Sequence, residues 1–128
     1  MKDRDTINLP EVLAEVTALF HAYEAAFMRN DVQALNHYFW NDAALTRYGI
    51  ADLQMGHAEL VAFRAASAAP NFTRSLHNVR ITTFGHHTAF AFTEFTRSDT
   101  PLKGRQSQTW VRFEDGWKIV AAHVSMVP

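Results

Sequence analysis

The sequence predicts an α+β domain in which three N-terminal helices pack on the concave face of a cone-shaped, strongly curved antiparallel sheet. Three observations lead there. Apolar residues near the start recur at helical spacing, the period changes to two from Phe72 onward, and tight-turn residues punctuate the second half. A chain of 128 residues is long enough for one core and too short for two, so 1–128 is read as a single domain. Apolar content of 48% with 20% charge suits a soluble globular protein, and ten phenylalanines are unusually many.

Pro10 sits where a first helical residue belongs, and Val12, Val16, Phe20, Tyr23 and Phe27 then follow at steps of three or four. That stripe is a long amphipathic helix ending near Arg29-Asn30-Asp31. Asp31 is placed to cap a second, shorter helix through Ala34, Leu35 and Tyr38. Ala44 to Ile50 is a brief strand candidate. Gly56 precedes a third helix, His57 to Ala66, which stops before Ala69-Pro70. Four strands follow, Thr73 to Phe84, Thr88 to Arg97, Gly104 to Phe113 and Trp117 to Val124, joined by connections short enough to make neighbours antiparallel.

The last two strands flank Asp115-Gly116, a strong signal for a two-residue hairpin turn. Such a turn pairs Glu114 with Trp117, Trp110 with Ala121, Gln108 with His123 and Gln106 with Ser125. Alternation then places Gln106, Gln108, Trp110, His123 and Ser125 on one face, with neutral hydrogen-bonding groups at its open end. Val111, Val120, Ala122 and Val124 occupy the other face, so the final strand needs cover on both sides.

A formal charge of −1 and a pI near 6.6 leave no electrostatic footprint for nucleic acid or an anionic membrane. The absence of cysteine excludes disulfides, thiolate nucleophiles and cysteine-based metal sites. The first residues lack the apolar stretch of a signal peptide and no run reaches membrane-spanning length, so a cytoplasmic location is expected. His86-His87 lie in a turn without a third ligand at clear spacing, and His21, His37, His57 and His77 show no metal pattern. No metal and no cofactor are expected. There is no phosphate loop, nucleophile elbow or Ser-Ser-Lys amidase pattern.

The candidate chemistry rests on polar groups aimed into the cone. Arg47 alternates onto the face of Leu45; either its stem packs and its head reaches water, or its guanidinium enters a cavity as a fork for a carboxylate or carbonyl. Tyr23 lies on the buried helical stripe, where its hydroxyl either fills the core with one hydrogen bond or relays a proton beside an arginine. His123 is either a structural histidine or a group oriented by Gln108. Arg64, beside Phe63 on the third helix, and Arg105 are either further cations for the same cavity or solvated surface groups, and Arg105 alternates onto the face opposite Gln106. Glu94 among phenylalanines either has a raised pKa or pairs with an arginine.

The segments Ile7-Asn-Leu-Pro-Glu-Val, Arg47-Tyr-Gly, Ala62-Phe-Arg-Ala, Ile81-Thr-Thr-Phe-Gly and Gly104-Arg-Gln-Ser-Gln-Thr-Trp-Val-Arg carry a resemblance. Over nearly the whole chain the pattern resembles the SnoaL-like, nuclear transport factor-like superfamily. Within it the segments look like the small AtzH-like family of the oxalurate-catabolism accessory protein and the 1,3-dicarboxyurea-processing protein of cyanuric acid catabolism. The resemblance implies a homodimer joined through the outer sheet face and a cofactor-independent decarboxylating amidohydrolase that turns 1,3-dicarboxyurea into allophanate beside a larger amidase. It places the catalytic pair on Tyr23 and Arg47; Gln106, Gln108, Trp110, His123 and Arg64, taken from the faces they occupy, are the substrate-binding residues expected beside that pair. The alternative from a different class is a noncatalytic ligand-binding protein or accessory subunit of that amidase.

Overall fold

A computed structural model describes residues 2–128. A short 3-10 turn at Lys2–Thr6 leads into α1 (Pro10–Met28), α2 (Val32–Tyr38), β1 (Thr46–Tyr48), β2 (Leu53–Met55), α3 (His57–Ala66), β3 (Arg74–Phe84), β4 (Thr88–Arg97), β5 (Thr100–Phe113) and β6 (Gly116–Val127). Pro10 opens α1, Glu11 occupies its electropositive first turn, and Val12, Val16, Phe20, Tyr23 and Ala26 are buried along one stripe. Just before it, Asn8 is locked to β3: its N–H donates to the Thr83 carbonyl at 3.0 Å and its Oδ1 accepts from the Thr83 N–H at 2.8 Å. The α1 helix stops where Asn30 turns to a φ of 55°. Asp31 Oδ1 then accepts from the Ala34 N–H at 3.1 Å and caps α2 as anticipated.

The strands form one sheet in the order β2-β1-β6-β5-β4-β3. The run from β3 to β6 is an antiparallel meander, while β1 lies parallel to β6, which makes the sheet mixed. No hairpin dictates the direction of two strands so far apart in sequence. The edge strand β2 has three residues, too few to show a period, and the sequence did not mark it. No described helix is long and apolar enough to cross a membrane.

The final hairpin departs from the predicted register. Phe113 faces Gly116 and Arg112 faces Trp117, so Glu114-Asp115 form the turn. Neither has a positive φ, whereas Gly116 has φ 112°, as in a turn of ordinary hand followed by a glycine. Further along, Trp110 faces Ile119 but Thr109 faces Ala121, which leaves Val120 as a bulge. Gln108 therefore faces Ala122, Gln106 faces Val124, Ser107 faces His123 and Arg105 faces Ser125. One extra residue reverses every side chain beyond it. Gln106, Gln108 and Trp110 stay inside, and His123 and Ser125 turn to the outer face.

The core lies between α1 and the sheet, around Phe20, Phe39, Leu60, Trp110 and Ile119, each at most 2% exposed. Two side-chain ties fix α1 across the sheet. The Trp117 indole N–H donates to Glu15 at 2.7 Å, and Arg74 grips Glu24 with Nε at 2.8 Å and Nη2 at 2.6 Å. Gly104 admits the Phe95 ring, which lies where a Cβ would project.

Two stability measurements test these local arguments. Asp31→Ala is expected to cost about 1 kcal/mol in denaturant unfolding. Gly104→Ala is expected to cost about 1–3 kcal/mol, because a Cβ there overlaps the buried Phe95 ring and forces it to shift. An unchanged midpoint for Gly104→Ala would contradict the seating of Phe95.

Candidate active site

Inside the cone, Tyr23 and Phe27 from α1, Arg47 from β1, Ile50 beyond it, Arg64 from α3, Arg74 from β3, Phe95 and Arg97 from β4, Gln106 from β5, Val124 from β6 and Phe72 enclose a cavity of about 70 Å³. Larger concavities, about 520 Å³ beside α2 and about 890 Å³ on the outer sheet face, gather no comparable set of guanidinium groups.

Each of the four guanidiniums leans on an aromatic ring. Arg47 stands 5.3 Å from the Phe63 centroid and Arg64 5.9 Å from Phe27. Arg74 lies between Phe27 at 4.7 Å and Phe95 at 4.4 Å, and Arg97 is 3.7 Å from Phe72. Ring faces carry partial negative charge, so they compensate cations without supplying a full counter-charge. Three of the four also meet a carboxylate: Arg47 with Asp52, Arg74 with Glu24 and Arg97 with Asp99. Arg64, 7% exposed, has no carboxylate among the described residues; its Nη2 donates to the Tyr23 hydroxyl at 3.2 Å and its buried Nε has no partner. The cavity therefore holds uncompensated positive charge and suits a small anion.

Arg47 donates from Nη1 to both Asp52 Oδ1 and Gln54 Oε1 at 2.8 Å, which leaves Nη2 and Nε for a ligand. Gln54 donates to the same Asp52 oxygen at 2.9 Å. Gly49 makes room for this arrangement, since the Asp52 carboxylate occupies the place of a Cβ there. Burial lowers the Arg47 pKa; the Tyr23 hydroxyl opposes that shift, the Arg64 cation adds to it, and Asp52 opposes it. The group stays protonated and gains from a bound anion. Desolvation works to raise the Asp52 pKa, but the Gln54 hydrogen bond and the charge and hydrogen bond of Arg47 outweigh it and hold the carboxyl below its ordinary value.

Tyr23, Arg47, Arg64 and Gln106, four of the residues singled out from the sequence, line this cavity. Trp110 is wholly buried in the core and Gln108 Oε1 accepts its indole N–H at 3.1 Å, so both lie outside the lining. The Val120 bulge carries His123 to the outer face, against the expectation of an inward ring; there it meets Tyr48 edge-on at 5.8 Å. Glu94 is exposed and accepts from Asn78 at 2.8 Å, neither enclosed by rings nor hydrogen-bonded to an arginine. Among the described residues no cluster of histidine and acidic side chains is arranged to hold a metal. Arg74, Arg97, Glu24 and Asp52 went unmarked, although strand alternation does put Arg97 on the face of Phe95, and Arg74 is its cross-strand partner.

No match was found among curated proteins. A sequence model of the AtzH-like family matches residues 5–128. A Pectobacterium atrosepticum protein of unknown function from the DUF3225 family is 48% identical with a TM-score of 0.94, covering 97% of each chain. A Burkholderia xenovorans protein with a cystatin-like fold is 46% identical at TM-score 0.92, covering 94% of this chain and 95% of that one. A ketosteroid isomerase-like protein from Erwinia carotovora atroseptica, 19% identical at TM-score 0.75 over 94% of this chain and 99% of that one, shares the fold, an NTF2-like cone. With the family model spanning all but its first residues, the chain belongs to the AtzH-like family.

Proposed function

We propose that this protein is a cofactor-independent decarboxylating amidohydrolase that converts 1,3-dicarboxyurea into allophanate. The observation that carries the reading is the Arg64–Tyr23 hydrogen bond in a small cavity where Arg47 offers half of its fork. The substrate is a planar dianion, and a pocket with excess guanidinium charge favours such a molecule over neutral ureas. Arg47 holds one carboxylate. As the bond from nitrogen to that carboxyl carbon breaks, its electron pair passes to nitrogen, carbon dioxide leaves, and Tyr23 gives its proton to the nitrogen. Arg64 stabilises the resulting phenolate, which solvent reprotonates. The outer sheet face, with Val79 and Phe92 exposed, forms the homodimer contact in this reading.

The residues lining the cavity include no imidazole and no carboxylate. That favours, as a second reading, a protein that captures the labile diacid for a larger amidase without turning it over. Freshly prepared 1,3-dicarboxyurea separates the two, with carbon dioxide and allophanate followed together. Tyr23→Phe is expected to lower kcat by about 10²–10⁴-fold. Arg47→Ala is expected to raise KM and lower kcat/KM. Full activity in both variants would remove the assigned pair, and tight binding without turnover would support capture.

The Asp52 ion pair adds a pH test. Its folded-state pKa lies below the unfolded value of about 3.9, so the pair stabilises the protein above that pH and is lost as the pH falls through the depressed value. Asp52→Asn is expected to reduce melting temperature near neutrality and to converge with the parent protein in acid. A deficit that persists unchanged in acid would contradict this linkage.

A further inference from the structure

Gln106 is 6% exposed and lines the cavity, and its amide has only one orientation that fits its surroundings. Arg74 Nη2 approaches one amide edge at 3.2 Å, and a guanidinium only donates, so that edge is the carbonyl oxygen. The other edge is the NH2, buried and without a partner. Arg74 is fixed in turn: Glu24 holds its Nε and Nη2 at 2.8 and 2.6 Å, and Phe27 and Phe95 clamp its plane. Glu24 stands on α1 and Gln106 on β5 near the centre of the sheet, so the pair links the helix to the sheet across the cavity. A buried N–H group left unpaired costs about 1–3 kcal/mol, so a side chain held that way in a cavity wall is matched to an acceptor on the ligand.

We propose that Glu24 and Arg74 are a positioning pair that fixes the Gln106 amide as a donor to a neutral carbonyl oxygen at the centre of the ligand. This rests on the decarboxylation reading and deepens it. When the carbamate carbon departs, the electron pair arriving on nitrogen is conjugated with the adjacent urea carbonyl, and negative charge grows on that oxygen. A fixed neutral donor there stabilises the charge without adding to the attraction for the carboxylates. Gln106 thereby becomes a specificity-determining residue that distinguishes a dicarboxylate carrying a central carbonyl from one without it.

The test uses two dianions of nearly equal length. 3-Oxoglutarate replaces each nitrogen of 1,3-dicarboxyurea by a methylene and keeps the carbonyl, and glutarate lacks it. Titration calorimetry is expected to show 3-oxoglutarate binding roughly ten-fold more tightly than glutarate, the worth of one otherwise unpaired buried donor. Gln106→Leu is expected to erase that preference, read as the ratio of the two affinities within the same variant. Arg74→Lys is expected to reduce the preference in the parent background and to change nothing further in Gln106→Leu, a coupling that a merely structural Arg74 does not produce. In turnover, Gln106→Leu is expected to raise KM about ten-fold, as the same carbonyl contact is lost from the bound substrate, and to lower kcat about 10²–10³-fold as well. Melting curves establish that each variant is folded, and Gln106→Glu supplies an isosteric variant without the amide donor should leucine unfold the protein. Equal affinities for the two acids in the parent protein, or a preference that survives in both Gln106 variants, would overturn the assignment. Carbonyl preference without any turnover would leave the relay standing and remove the decarboxylation reading instead.

Discussion

The candidate site depends on guanidinium groups withdrawn from water, with the Arg47, Arg64 and Arg74 side chains largely buried and Arg97 partly so. Desolvating one such ion costs several kcal/mol after relaxation, and this cavity gathers four. The chain offsets that cost in two ways. Aromatic faces of Phe27, Phe63, Phe72 and Phe95 receive the cations, and Asp52, Glu24 and Asp99 pair with three of them. The unusual number of phenylalanines has a physical use here, and so does Gly104, which lets the Phe95 ring reach its place under Arg74. Arg64 is the member left without a carboxylate, and its hydrogen bond to Tyr23 connects the electrostatics of the site to the phenol that is placed to move a proton.

The sheet decides which side chains join this set. Three irregularities interrupt its registers, between His77 and Arg80, between Thr96 and Arg97, and between Thr109 and Trp110. Bulges increase local twist, and here they help wrap the sheet around α1. The one at Val120 also sorts the last strand. Ile119 and Trp117 pack inward on one side of it, and Val124 reaches the cavity on the other, while His123 is sent outside. An inward His123 would bring a titratable ring into the cavity. Its outward turn leaves Tyr23 as the proton-bearing group in a lining otherwise made of arginines, a glutamine and apolar side chains.

Much of this was legible in the sequence where the determinants are local. The buried stripe of α1 with Tyr23 on it, the Asp31 cap and the span of α3 follow from spacing and from single capping residues, whereas alternation in a short strand left Arg47 between an inward and a solvated head, and only the family resemblance paired it with Tyr23. The pairing of β1 with β6 was not legible, because it is a contact between distant segments with no turn to announce it. The exact hairpin register was lost for a different reason. Glu114-Asp115-Gly116 is compatible with two turn geometries, and Val120 is a β-former with nothing in its neighbourhood to mark it as unpaired. Arg74 and Arg97 stand at strand ends, where a charged residue ordinarily faces water, and only the pairing of their strands brings them over Phe27, Phe95 and Phe72.

The central claim is that the guanidinium cavity inside the cone is the site for a small dianion. A crystal structure of the protein with 3-oxoglutarate tests it most directly. The expected result is one molecule in the cavity, with a carboxylate on the free edge of Arg47 and the carbonyl oxygen on the Gln106 amide. A dianion seated only in the outer-face groove beside Arg105 and His123, or an interior cavity empty at saturating ligand, would contradict the account.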